Sequence, residues 1–362
     1  MQKEPEVRPG FRTAEIFAGW GKMLQGHSPL MSIEITRECP LSCPGCYAYG
    51  ENHLGNDRVL RDLADYRGDD LVNGVLALVR KHRPLHVSLV GGEPLIRHKE
   101  LSRILPALSD MGVYSMVVTS AVIPIPMEWM TIPRVRVAIS VDGIPADHDV
   151  RRKPATYEKI LKNIAGREVS VHWTITNKMV SPRYIDEFLS YWNARPEVNR
   201  IWASIYTPQA GENTEEMVSE ENRRILAEQL PLLRDRYPKF LISDGMANAY
   251  LHPPENPAKC LFSQLSVNYT ADLNTRVEPC IFGGAPDCSQ CGCAVSAGLE
   301  WIRNSKVKGT VKADLVIGAT LRIGKIWKSL TRSNDDYSRA HGPAPRRAPE
   351  PALIQINRDE AA

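Results

Sequence analysis

The stretch Met31-Ser-Ile-Glu-Ile-Thr-Arg-Glu-Cys39-Pro-Leu-Ser-Cys43-Pro-Gly-Cys46-Tyr47 decides how the rest of the chain is read. Residues 31–36 are strand-like, and the prolines and glycine that follow cannot continue a central strand, so Cys39, Cys43 and Cys46 fall on a loop at its C-terminal end. Three thiolates on one loop suit a four-iron cluster with one iron left unligated, because such a cube takes four cysteines when saturated. An open iron is a place where a small molecule can bind and be reduced. The same thiols also suit a zinc ion completed by a distant ligand, or half of an electron-transfer cluster. A zinc ribbon, however, pairs two C-x2-C knuckles, and C-x3-C-x2-C is a different spacing.

Working outward, Val- and Ile-rich runs recur at 31–36, 85–90, 114–119, 134–141, 169–176 and 200–207, with amphipathic stretches between most of them. Asp69-Asp70 stand as capping carboxylates before the helical stripe Leu71, Val72, Val75, Leu76 and Val79. Tyr157, Ile160, Leu161 and Ile164 form another stripe after Pro154. Six strands alternating with helices predict an α/β fold with a parallel sheet curved into a partial barrel. Strands of such a sheet are expected to be buried on both faces, with ligands gathered at their C-terminal ends. The cysteine loop, Gly91-Gly92-Glu93-Pro94 and Ser140-Val141-Asp142-Gly143 all sit at strand ends. Three independent motifs therefore converge on one rim.

C-x3-C-x2-C after a strand, followed by Gly-Gly-Glu-Pro after the next, resembles the radical S-adenosylmethionine (SAM) superfamily, and the resemblance covers residues 31 to about 210. It implies the partial (β/α)6 barrel of that family and a catalytic 4Fe-4S cluster on Cys39, Cys43 and Cys46. It also implies reductive cleavage of SAM to a 5'-deoxyadenosyl radical that abstracts hydrogen or adds to an alkene. Gly91, Gly92 and Glu93 then become candidates for holding the methionyl ammonium, since glycine lets backbone approach a ligand closely. Ser140, Asp142 and Thr176 are candidates for the ribose or methionyl group, with Thr174 and Asn177 beside them. Arg152 is the candidate for a charge-assisted fork on the methionyl carboxylate. The family usually has an aromatic residue just before the third cysteine; here Gly45 stands there, with Tyr47 after the cysteine as a further cofactor-binding candidate. His172 and Trp173 interrupt an apolar run and are expected on opposite sides of their strand, one packed and one toward the cavity.

Cys260, Cys280, Cys288, Cys291 and Cys293 form a second group. Hairpin-like sequence at 265–269 and 275–278 separates the first two, which resembles the SPASM or twitch extension of many radical SAM enzymes and implies an auxiliary 4Fe-4S cluster. The glycine expected shortly before the second cysteine is replaced by Thr275, and the cysteines are too few for a two-cluster extension. Zinc, or reduced thiols bracing a small domain, is the alternative.

The eight cysteines lie in two groups, which is metal-ligand usage and not a secreted disulfide framework. No apolar run is long enough for a membrane span, and 1–9 lacks a signal-peptide core, so a cytoplasmic location is expected, with a flavodoxin or ferredoxin as reductant. No nucleic-acid signature is present. Net charge is +3 overall, but residues 301–362 carry 12 Lys/Arg against 6 Asp/Glu. Residues 214–237 read as a charged helix and 251–259, with three prolines, as a linker. Residues 311–332 read as a basic amphipathic helix with Val316, Ala319, Ile323, Trp327 and Leu330 on one face. Such a helix packs on its own domain or contacts a membrane surface peripherally. The expected organisation is an extension at 1–30, the barrel at 31–240, a cysteine-rich segment at 241–300, the basic segment at 301–335 and a disordered tail at 336–362. Peptides and small biosynthetic intermediates are the substrates implied by the SPASM resemblance; an isoprenoid lipid is the alternative implied by a similar tail in hopanoid adenosylating enzymes. An electron-transfer module that never cleaves SAM is the non-enzyme alternative.

Overall fold

The computed structural model describes residues 13–50, 53–54, 60–307 and 311–331, so the expected tail at 336–362 and most of the N-terminal extension lie outside the described residues. In chain order the elements are α1 (Thr13–Leu24), β1 (Leu30–Glu34), α2 (Gly68–His82), β2 (His86–Val90), α3 (His98–Asp110), β3 (Tyr114–Thr119) and β4 (Val135–Val141). Next come α4 (Pro145–Arg151), α5 (Tyr157–Ile164), β5 (Val169–Ile175), α6 (Pro182–Asn193) and β6 (Val198–Ile205). The chain continues with α7 (Glu220–Leu233), α8 (Asp244–Leu251), α9 (Leu261–Leu265), β7 (Ser266–Tyr269) and α10 (Ala294–Asn304). A small pair, β8 (Lys306–Val307) and β9 (Val311–Lys312), leads into α11 (Ala313–Thr331).

All six expected strands form, in the order β6-β5-β4-β3-β2-β1, and β7 adds a seventh on the far side of β1. Every pair is parallel, with Leu30 opposite His86 and Leu30 also opposite Ser266. One strand face carries Ile33, Leu89, Val117, Ile139, Val171, Trp173 and Ile201, all buried in the main core with the helices. The other face departs from the sequence expectation of apolar burial on both sides: Ser88, Ser140, Ser170, His172, Thr174 and Ser204 line a cavity of about 960 Å³. A sheet that curves encloses space on its concave face, and side chains there need not be apolar. Trp173 stacks on Phe188 at 4.0 Å while His172 faces the cavity, as their alternation requires.

Local expectations are refined in three places. Helix α2 starts at Gly68, whose N–H donates to Glu100 Oε1 at 2.8 Å, so Asp69 and Asp70 lie within the first turn, at the positive end of the helix dipole, and do not cap it. Helix α7 begins only at Glu220, because Ser219 accepts from Asn222 N and fixes the N-terminus there. The hairpin after Cys260 closes without the missing glycine. Leu273 takes the left-handed conformation at φ 54°, and the Asp272 carboxylate accepts from the Asn274 and Thr275 amides. Its first arm is β7 itself, so the cysteine-rich segment also completes the main sheet.

Candidate active site

The cysteine loop leaves β1 at the sheet's C-terminal rim and is pinned by backbone. Gly92 N donates to Thr36 O and Glu93 N to Glu38 O, each at 2.8 Å. Gly91 sits at φ 120°, and a Cβ at Gly92 would lie 2.0 Å from Glu38 O. Both glycines therefore serve first to let β2's end press against the cysteine loop. Glu93 is buried and fully engaged: one oxygen accepts from Leu95 N and Thr119 Oγ1, the other from Ser120 N and Oγ. It locks the rim beneath the glycines.

Cys39, Cys43 and Cys46 all border the cavity, as do Tyr47, Gly91, Gly92, Glu93, Ser140, Asp142 and Arg152. Thr174 lines it too, whereas Thr176 is buried just beyond and is not part of the wall. Burial pushes the Cys39 thiol up to about 12 and raises Cys43 and Cys46 as well, with Arg152 opposing the rise at the latter two. Arg152, joined at Cys43 by Arg151, thus brings positive charge to the cysteine loop. Its guanidinium forks onto Asp142, Nε to Oδ2 at 2.7 Å and Nη2 to Oδ1 at 3.2 Å, and Arg151 Nε reaches the same Oδ2 at 2.8 Å while pairing with Glu216. Burial would lift the Asp142 carboxyl, but the two arginines hold it down at about 2. The strand-four carboxylate thus orients Arg152, and its oxygens are already taken up by cations.

Gly45 is explained by a residue that motif reading missed. It sits at φ 61°, and a Cβ there would meet the Tyr206 hydroxyl at 2.6 Å. Tyr206, just past β6, lines the cavity and donates to Glu212 Oε1 at 2.5 Å, so a ring reaches the cysteine loop from across the barrel. The glycine was the available signal: an absent aromatic side chain leaves a volume that another element fills. His172 Nε2 contacts Ser204 Oγ at 2.8 Å, which also accepts from Ala294 N, and burial holds the imidazole down at about 4. Three buried polar atoms on the wall, Trp202 Nε1, Asn268 Oδ1 and Ser115 Oγ, have no hydrogen-bond partner among the described residues.

The five late cysteines all line one narrow space, together with Ser296 and several prolines. Cys293, Phe282, Phe262 and Thr207 border both this space and the large cavity, so the two thiol groups share a wall. The late loop is tied to β6's end through Ile205 N to Gly292 O and Gly292 N to Thr207 Oγ1. A second tie runs through His53. Its Nδ1 meets Phe282 O at 3.0 Å and its Nε2 meets buried Glu34 Oε1 at 2.8 Å. Because a carbonyl only accepts, Nδ1 is the donor to Phe282 O, and burial raises the Glu34 carboxyl. Tyr47 packs edge-on to Phe282 beside this clasp.

A curved parallel sheet with a three-cysteine loop at its C-terminal rim is the architecture of the radical SAM class. Residues 33–166 match the family model of the Radical SAM superfamily. Curated relatives include the PqqA peptide cyclases of Bradyrhizobium diazoefficiens (36% identical over 91 residues, 25% of this chain and 22% of the relative) and Methylobacterium sp. strain 4-46 (36% over 89 residues, 25% and 21%). The match spans about a fifth of the length of these relatives. Among solved structures, SuiB of Streptococcus suis bound to S-adenosylmethionine aligns with a TM-score of 0.53 at 14% identity, covering 82% of this chain and 73% of that one. Native anSMEcpe with bound AdoMet aligns at 0.51 and 13%, covering 83% and 97%. At such identity the likeness is one of fold. Among the described residues no helix is long and apolar enough to cross a membrane.

Proposed function

We propose that this chain is a radical SAM enzyme acting on a peptide, with Cys39, Cys43 and Cys46 as ligands of the catalytic 4Fe-4S cluster. The observation that carries this reading is that three thiols of one loop, inside the matched domain, border a cavity of about 960 Å³ within the curved sheet. The donor set fits the group, since thiolates are the ligands of such clusters and three of them leave one iron open. When bound, that cluster with SAM supplies an adenosyl radical able to take hydrogen from an unactivated carbon. Gly91 to Glu93 hold the rim rigid and present backbone to the methionyl end. Arg152, aimed by Asp142, supplies a fixed positive charge for the methionyl carboxylate, and the Tyr206 ring covers the space beside Gly45. Relatives named as peptide cyclases, and the structure titled SuiB bound to precursor peptide SuiA, support the peptide substrate class.

The late cysteines are proposed as ligands of an auxiliary cluster. Five thiols around one space supply the four donors such a cluster takes, and thiolate-only sets are its usual ligands. A flavodoxin or ferredoxin is proposed as reductant. Iron and zinc per chain after anaerobic reconstitution, with 5'-deoxyadenosine measured under reductant and SAM, test the reading. About eight irons, falling to about four in the Cys39/Cys43/Cys46→Ala triple variant, are expected. Deuterium passing from a labelled peptide into 5'-deoxyadenosine would identify the substrate class. Full iron loading without any 5'-deoxyadenosine would overturn the assignment.

A further inference from the structure

Helix α11 carries two apolar stripes, and only one is used by the fold. Ala313, Ile317, Thr320 and Gly324 are buried. They sit against Met23, Leu261 and Leu265, and a Cβ at Gly324 would meet the Met23 carbonyl oxygen at 1.9 Å. The second stripe runs Leu315, Ala319, Ile323, Ile326 and Leu330, spaced i, i+4, i+8, i+11 and i+15. At 100° per residue it lies about 130° around the helix from the first and extends about 22 Å. Leu315 is 66% exposed, Ile323 53%, Ile326 60% and Leu330 74%, with Trp327 at the stripe's edge 52% exposed. The face expected from sequence to share Val316, Ala319, Ile323, Trp327 and Leu330 is thus this open one. Seating on the domain falls to the stripe of smaller residues.

The rest of the helix surface is basic. Arg322, Lys325 and Lys328 are exposed in the sector between the stripes, and the helix's single carboxylate, Asp314, is engaged by Arg303 Nε at 2.6 Å. An apolar strip with a tryptophan at its edge and a row of cations alongside is complementary to a surface that is apolar beneath and negative on top. We propose that α11 docks the protein on an anionic bilayer, laying the Leu315–Leu330 stripe into the headgroup boundary while Arg322, Lys325 and Lys328 meet lipid phosphates. The length of the stripe suits lying in the interface, since no described helix qualifies as a span. Docking also places the active-site cavity near the lipid. Leu299 and Ile302 of α10 line that cavity and pack against the α11 cluster, and Trp301 lines it while 47% exposed.

Flotation of the full chain with vesicles of phosphatidylcholine alone, or mixed with phosphatidylglycerol, tests the proposal without reference to catalysis. The wild type is expected to rise with the anionic vesicles and to dissociate as salt is raised. At roughly fivefold per basic residue near an anionic surface, the Arg322/Lys325/Lys328→Gln triple variant should partition on the order of a hundredfold more weakly. Ile326→Glu with Leu330→Glu should abolish binding, and because both side chains are exposed the melting temperature should stay that of the wild type. The charge variant keeps the test valid if the glutamates perturb folding. Wild type that stays with the lipid-free fraction overturns the proposal. So does a solution dimer that Leu330→Glu splits, which would give the stripe to a second copy. Vesicle binding that begins only after truncation at Thr331 would instead give the stripe to the residues that follow.

Discussion

The two cysteine groups share a wall, yet they are built for opposite ends. The first places three thiols on a loop bordering a large cavity, with Arg152 and the Tyr206 ring close by. The second surrounds a narrow space with five thiols, of which Cys260 is buried and the others partly so, and ties its loop to β6 by backbone. Under the proposed assignment, three thiols beside a large cavity leave a coordination position for a reactant, whereas five around a narrow space supply more donors than one cluster needs. In both groups burial raises the thiols, Cys39 and Cys280 to about 12 and Cys291 to about 11. Under the proposed assignment, thiols raised in this way give up protons when metal loads.

The largest effect should come from breaking one side of the comparison at a time. Cys46→Ala is expected to bring 5'-deoxyadenosine formation to background. Cys280→Ala should leave SAM cleavage measurable while abolishing the modified substrate, because it removes the partner site and not the radical source. Chromatographic assay of 5'-deoxyadenosine and product in both variants checks this. Equal loss of SAM cleavage in the two would show that the sites do not divide the work.

Next in size is the clasp that joins them. His53 is fixed by Phe282 O on the late loop and by Glu34 at the end of β1, and Glu34 Oε2 has no partner among the described residues. His53→Ala leaves a buried carboxyl and a part-buried carbonyl unpaired, at a cost of about 3 kcal/mol. Urea titration of the apoprotein should show a lower midpoint. His53→Gln, which can restore one of the two bonds, should recover part of it.

How much of this was legible in the sequence follows from which forces are local. The strands, the cysteine loop and the rim motifs were legible because strand periodicity and Gly-Pro punctuation are local signals. The hollow concave face was also written in the chain, as Ser88, Ser140, Ser170 and His172 at alternate positions. It was obscured because a run of Val and Ile reads as burial on both faces until the curvature of the sheet is known. Tyr206 and His53 could not be found by motif, since each matters through a partner more than 100 residues away in one case and across the barrel in the other: Phe282 for His53, Gly45 for Tyr206. The partners of Asp142 were hidden for a similar reason. Arg151 and Arg152 return to it from the C-terminal end of α4, nine and ten residues on, and no local pattern announces that pairing.

A smaller test sharpens the first site alone. Gly45→Ala puts a Cβ against the Tyr206 ring at positive φ and should cost ~1–2 kcal/mol from conformation, with overpacking added. Tyr206→Ala should relieve the packing part, so the double variant is expected to be more stable than the sum of the two singles predicts. SAM affinity should fall in Tyr206→Ala and hold in Tyr206→Phe, which keeps the ring. Identical affinities in all three proteins would reduce Tyr206 to a packing role.

The smallest expected effect is in pH, and it separates the cavity from the back of the barrel. Burial holds His172 at about 4 in the cavity, and His82, whose Nε2 contacts the Tyr269 hydroxyl at 2.9 Å, at about 3 behind the sheet. Both lie below the unfolded value near 6.5, so the unfolded chain takes up protons that the folded chain refuses. Stability is complete above about pH 6.5 and is lost as pH falls toward 4 and 3. At pH 5 each histidine should cost no more than ~2 kcal/mol relative to pH 7. Asp142 acts later, its contribution present above about 4 and lost only toward 2. Urea midpoints at pH 7 and 5 should therefore differ less in His82→Gln and in His172→Gln than in the wild type. Only the His172 variant should also alter SAM cleavage, because only His172 borders the cavity where the cysteine loop stands.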